Sequence, residues 1–135
     1  MALEISERER EGITILDLNG RITVGPEASS LREKVSNPSQ SSPRNIILNL
    51  AGVDYIDSTG LGALVISAVT LRKTGGNVKL LNLNRRNIEL LVMTKLATEF
   101  EIFTDEQDAV NSYFPDRKIQ KFDILDFVQH MKKQE

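Results

Sequence analysis

Cysteine is absent from this 135-residue chain, which excludes a disulfide framework, thiol catalysis and a thiolate metal site. There is one histidine, His130, and it lies in the C-terminal tail. A single imidazole with no thiolate leaves only scattered carboxylates as metal ligands, so no metal and no cofactor are expected. Neither sign of charge dominates: 17 basic against 19 acidic residues give a net charge of −2. That balance gives no electrostatic reason to expect nucleic acid or an anionic membrane as partner. No apolar run approaches the ~18 residues of a membrane span. The start, Met1 to Arg8, is too polar for a signal peptide, so the cytoplasm is the expected location and membrane insertion is not. Gly-x-Ser-x-Gly and Gly-x-x-x-x-Gly-Lys-Ser/Thr motifs are both missing, which speaks against a serine hydrolase and a nucleotide cradle. The chain is not expected to be an enzyme.

Hydrophobic residues at 40% and charged residues at 27% describe an ordinary globular domain, long enough to bury a core. Leu3 to Ser6 and Ile13 to Leu18 alternate around a charged turn, Glu7 to Gly12, and read as an opening antiparallel pair. Gly20 to Gly25 continues the second strand. Pro26 then opens a helix over about 27–35, with Ala28, Leu31 and Val35 on one face. A Ser/Pro-rich loop, Asn37 to Pro43, follows. Ile46 to Leu50 is a buried-strand pattern, with Ala51 to Ile56 as a short connection to a long helix from Ser58 to about Thr74, stopped at Gly75-Gly76. Then come a strand Val78–Leu83, a helix near Arg86–Thr94, a short strand Glu101–Phe103 and a helix Asp105–Tyr113. Strands alternating with helices after a hairpin predict an α/β fold with a mixed, mainly parallel sheet. The tail from Asp116 has an amphipathic pattern over about 123–133. Such a helix either packs back on the domain or serves as a dimer contact or second partner surface.

The run Asp57-Ser58-Thr59-Gly60-Leu61-Gly62 stands at the junction of strand and helix. Asp57 and Ser58 are both N-cap candidates, because a side-chain oxygen there satisfies an orphan backbone N–H. Asp54 and Asp57 read as turn and cap chemistry rather than as an acid/base couple. A cap alone needs no Gly-Leu-Gly behind it, since each Gly in a helix costs about 0.5–1 kcal/mol relative to Ala. Two glycines strip side chains from one side of the helix start and expose the Ser58 hydroxyl. Further along, Leu61, Leu64, Val65, Ala68 and Leu71 form a stripe for the sheet. Gly62, Ala63, Ile66, Val69 and Lys73 fall on a second side, either covered by neighbouring helices or open for docking.

In this context the run resembles the Asp-Ser-Ser/Thr-Gly-Leu-Gly motif of the anti-sigma-factor antagonists, built on the STAS domain. The resemblance spans about residues 3 to 114. It implies a mixed sheet of about four to five strands with about four helices, forming a domain over residues 1–115, with residues 116–135 as a helical extension. It implies docking onto an anti-sigma factor that is also a GHKL-type serine/threonine kinase, so that a sigma factor is freed. Phosphorylation of Ser58 ends that docking, with Thr59 as the runner-up phosphosite and a phosphatase to reverse it. The docking surface implied comprises Arg21, Thr23, Tyr55, Asp57, Ser58, Thr59, Gly60, Gly62, Ala63 and Ile66, on a monomer or weak dimer. Many family members carry an acidic residue where this chain has the neutral Thr23. The alternative is a constitutive STAS subunit of a signalling or lipid-transport assembly, with no phospho-switch.

Overall fold

The computed structural model describes residues 3–23, 25–35, 45–119 and 124–134. The Asn37–Pro43 loop, Val24 and Asp123 fall outside these residues, as do the side chains of Pro26, Ala28 and His130. Five strands form one sheet in the order β1-β2-β3-β4-β5: β1 Glu4–Arg10, β2 Ile13–Ile22, β3 Asn45–Ile56, β4 Asn77–Leu81 and β5 Ile102–Phe103. The first pair is antiparallel and the other three pairs are parallel. Helices α1 Pro26–Val35, α2 Ser58–Lys73, α3 Arg85–Met93, α4 Glu106–Asn111 and α5 Ile124–Gln134 complete the described chain, with a 3₁₀ turn at Ala97–Glu99.

Two expectations about strand length are corrected. The charged segment Glu7–Gly12 is not all turn: β1 runs to Arg10, which pairs with Ile13. Only Glu11 and Gly12 turn, both with positive φ (52° and 82°), the geometry whose twist matches a two-residue hairpin. Charged side chains concealed the strand because β1 is an edge whose residues are mostly exposed. Likewise Ala51–Ile56 is no connection but the second half of the twelve-residue β3. It stays paired with β2 past two register shifts, through Gly52, Val53, Tyr55 and Ile56. Those shifts break strict alternation, so the pattern looked irregular from sequence.

One face of the sheet carries the main core. Leu16, Leu18, Ile46, Leu48, Leu50 and Leu80 from the strands meet Leu31, Leu64 and Leu91 from the helices, all fully or almost fully buried. α1 packs along α2, and Ile124 and Phe127 of α5 also pack against this cluster. Burying each such side chain contributes about 1.5–3 kcal/mol, so this face holds most of the fold together. The other face has a smaller cluster, in which Ile15, Ile47, Leu81 and Phe103 lie under Ala109 and Val110 of α4.

Beside that smaller cluster runs a polar ladder. Arg8 on β1 donates from Nε to Asp17 on β2 at 2.6 Å, and Asn49 on β3 donates to the same carboxylate at 2.8 Å. Arg8 also reaches Glu106 at the start of α4. The Arg8 hydrogen bonds hold the Asp17 and Glu106 carboxyls below their usual range. A carboxyl whose folded pKa is depressed contributes stability above its unfolded value near 4, and loses it as pH falls through the folded value. Arg8→Gln is therefore expected to cost about 1 kcal/mol at pH 7, a figure held down by solvent screening at these partly exposed groups. The difference from wild type should shrink steadily below pH 4 in urea melts. A gap that persists undiminished at pH 2 would show that Arg8 acts through packing instead.

Candidate protein-docking site at the start of helix α2

β3 delivers the chain to α2 through one extended residue. Asp57 (φ −94°, ψ −179°) is the N-cap, and its Oδ1 accepts from the Gly60 N–H at 2.7 Å. The Asp57 carbonyl accepts from Leu61 N–H at 2.8 Å, while its own N–H donates to the Ile22 carbonyl at 3.2 Å. Of the two cap candidates, Asp57 holds the role. Ser58 and Thr59 follow as the first two helical residues, both exposed. Their hydroxyls make no hydrogen bond among the described residues, and at these positions the backbone N–H groups have no intrahelical partner. The α2 N-terminus thus presents two hydroxyls and the positive end of a sixteen-residue helix.

The two glycines of the motif have different reasons. A β-carbon on Gly60 would lie 1.9 Å from the Ile22 carbonyl oxygen, an impossible overlap with backbone. Gly60 is buried and lets the first turn of α2 sit on the end of β2. A β-carbon on Gly62 meets nothing within 4 Å, so packing does not demand glycine there. The expectation that both glycines serve to expose Ser58 does not describe Gly60, whose reason is packing.

Farther along α2, Leu61, Leu64, Ala68 and Leu71 are buried as the stripe predicts, with Val65 half-buried. The second side divides. Ala63 is only 4% exposed, so it offers no side chain to a partner, whereas Ile66 (50%) and Val69 (42%) remain open. The shallow groove between α1 and α2 is lined by Ser29, Arg32, Glu33 and Ile66. Neighbouring α1 covers part of the second side and leaves an apolar strip with a charged rim.

Three residues missed by the sequence reading shape the far side of the site. Asn84 caps α3 by accepting from Asn87 N–H at 2.8 Å, and its amide donates to the Val53 and Asp54 carbonyls at 3.3 Å. The fully buried Asn87 donates to Val53 O at 3.2 Å. Together they stitch α3 to the end of β3. Arg86 donates to Ile56 O at 3.4 Å and stands 4.0 Å from the centre of the Tyr55 ring. An Asn just ahead of a helix pattern is a legible cap signal. The Arg86–Tyr55 contact has no local signal. Arg21 lies across from Tyr55 in the β2–β3 register, 5.8 Å from the same ring. Thr23, half-buried, follows Ile22 at the end of β2.

Among the described residues no group of three or more His, Cys, Asp or Glu side chains is arranged to hold a metal ion. No helix of the described residues is long and apolar enough to cross a membrane.

A mixed five-stranded sheet with an exposed serine at the start of α2 defines an α/β domain. Comparison with known proteins narrows the class. The STAS domain family matches residues 4–109. The anti-sigma-B factor antagonist of Bacillus subtilis (strain 168) is 32% identical over 110 residues, covering 82% of this chain and 99% of that protein. Among solved structures, the anti-sigma factor antagonist SpoIIAA in its unphosphorylated form superposes with a TM-score of 0.71 at 18% identity, covering 85% of this chain and 100% of that one. The phosphorylated form of SpoIIAA, a Bacillus cell fate determinant, gives 0.63 at 18% identity, over 82% of this chain and 99% of that one. At that identity the structural likeness carries the fold alone. The chain belongs to the anti-sigma-factor antagonist family of STAS-domain proteins.

The glycine geometry makes a paired prediction. Gly60→Ala is expected to cost about 3 kcal/mol or more, since the obstacle is backbone that cannot move aside. Gly62→Ala, in open space within a helix, should be neutral or stabilise by up to about 1 kcal/mol. Thermal melts of the two variants decide it, and equal effects would refute the assignment.

Proposed function

We propose that this chain is an anti-sigma-factor antagonist that docks through the α2 N-terminus and is switched off by phosphorylation of Ser58. One observation carries the proposal: Asp57 takes the cap, so the exposed Ser58 hydroxyl is free of any structural duty among the described residues. The 32% identity to the anti-sigma-B factor antagonist across nearly all of that protein supports the same role. The partner is an anti-sigma factor that is also a GHKL-type serine/threonine kinase, and a phosphatase restores the free serine. Thr59, one position further into the helix and also exposed, is the runner-up acceptor. The work is binding, not catalysis, in the cytoplasm, by residues 1–115 acting as the STAS domain with 116–135 as an extension. Arg21, Thr23, Tyr55, Asp57, Ser58, Thr59, Gly62 and Ile66 remain as the contact surface. Ala63 and Gly60 leave that set because both are buried.

The switch follows from electrostatics. A phosphoryl group brings about −1.5 to −2 charges at neutral pH. The unpaired N–H groups and the positive end of α2 accommodate an anion, so the fold survives. A partner surface fitted to a small neutral hydroxyl meets bulk and a charge that is costly to desolvate without a cation. Docking is lost while structure is kept.

Thr23 favours a second reading, since many relatives have an acidic residue there. A chain lacking that acid suits a constitutive STAS subunit of a larger assembly, in which Ser58 is never modified.

Affinity capture with wild type, Ser58→Ala and Ser58→Glu as baits separates the two. Wild type and Ala should retain a GHKL-type kinase that Glu loses by about tenfold or more. Equal retention by all three baits refutes the switch and favours the constitutive subunit.

A further inference from the structure

The described arginines differ in their partners; Arg72, for one, donates to the Glu99 carbonyl at 2.7 Å. Arg8, Arg10, Arg85 and Arg117 each close on a carboxylate. Arg21 and Arg86 close on none among the described residues, and both stand over the ring of Tyr55, at 5.8 and 4.0 Å from its centre. All three side chains are exposed, Tyr55 at 38%.

Two cations that share one ring repel each other, and the ring itself neutralises neither. At an exposed site each cation–π contact contributes about 0.5–1 kcal/mol, enough to orient a guanidinium without quenching its charge. Arg86 is held further by its donations to Ile56 O at 3.4 Å and Asn87 Oδ1 at 3.2 Å. Asp54 is exposed and next to Tyr55 in sequence, yet it makes no ion pair with either arginine among the described residues. The corner therefore keeps an unsatisfied appetite for an anion. A counter-anion seated between the guanidiniums relieves their repulsion, and their planar forks fit carboxylates in paired hydrogen bonds. Exposed tyrosine and arginine are also the side chains that dominate protein-interface energetics.

We propose that Arg21, Tyr55 and Arg86 form an acid-reading corner of the docking surface, which takes an aspartate or glutamate side chain from the partner protein. The inference deepens the proposed function by naming the chemistry of the partner, and it rests on that reading for the partner's existence. The corner shares a rim with Ser58. Ile22, the neighbour of Arg21, accepts the Asp57 N–H, and Arg86 reaches the Ile56 carbonyl just before the cap. A phosphoryl group on Ser58 has the same sign as the partner's carboxylate. It therefore repels the segment that the corner attracts.

The test uses the full, unmodified chain, an acetylated hexaglutamate peptide as probe, and NMR titration at low salt. Saturable shifts are expected at the Arg21 and Arg86 Nε–Hε groups and the Tyr55 ring, with binding weakened about fivefold or more in Arg21→Gln/Arg86→Gln. The rest of the amide spectrum should stay unchanged, which checks folding, and Arg86→Gln alone serves if the double variant unfolds. A hexalysine peptide should leave these signals still. Shifts scattered over the surface, binding unaltered in the variants, or an equal response to inorganic phosphate would each overturn the proposal. So would the same shifts on simply concentrating the chain, which would assign the corner to a second copy. Because the chain is unphosphorylated throughout, failure here leaves the Ser58 switch standing, and failure of the bait comparison leaves this titration readable.

Discussion

The Ile22 carbonyl receives the Asp57 N–H at 3.2 Å, and its oxygen fills the space where a Gly60 β-carbon would sit. The end of β2, the end of β3 and the first turn of α2 meet at that one backbone crossing. Any side chain at position 60 pushes α2 off the sheet, and with it Leu61 and Leu64 lose their burial. The same contact sets where Asp57 stands, and Asp57 in turn closes the first turn through Gly60 N–H. The docking site proposed above would inherit the rigidity of that crossing. Ser58 and Thr59 are presented at a fixed angle with no loop to order on binding, which lowers the entropic cost of association.

The crossing also explains how the site can carry charge without disturbing the core. The buried apolar side chains of α2 face the sheet and α1, while Ser58, Thr59, Ile66 and Val69 stay exposed. On the far side of β3, Asn84 and Asn87 bind the strand's carbonyls and hold the start of α3 beside Tyr55. The polar atoms that would otherwise be stranded at the carboxyl ends of the parallel strands are thus satisfied by side chains. Ligand and partner sites in parallel sheets favour this end of the strands, and here helix N-termini share it with Arg21 and Arg86, which make no ion pair among the described residues.

Much of the architecture was readable before any coordinates. The 3.6-residue stripe through Leu61, Leu64, Ala68 and Leu71 marked α2 to within a residue, because one buried face imposes that period on the chain. The alternation through β2 and the Gly75-Gly76 stop were equally local. β1 was obscured by its charges and the second half of β3 by its register shifts. In both cases a strand is held by its neighbour rather than by its own pattern. Asp57 and Ser58 were equivalent as caps in the sequence, and only the backbone angles at Asp57 separate them.

By itself, then, the sequence determined the family, the order of strands and helices and the serine at the junction, since each rests on residues near one another along the chain. The tertiary structure alone decided that Gly60 serves packing while Gly62 faces open space, and that Ala63 is covered while Ile66 is not. It also decided that Arg21 and Arg86 meet over Tyr55. These outcomes depend on groups more than thirty residues apart, brought together by strand register and by the side on which each helix crosses the sheet. Local periodicity records that a side must be buried; it carries no record of what arrives to bury it.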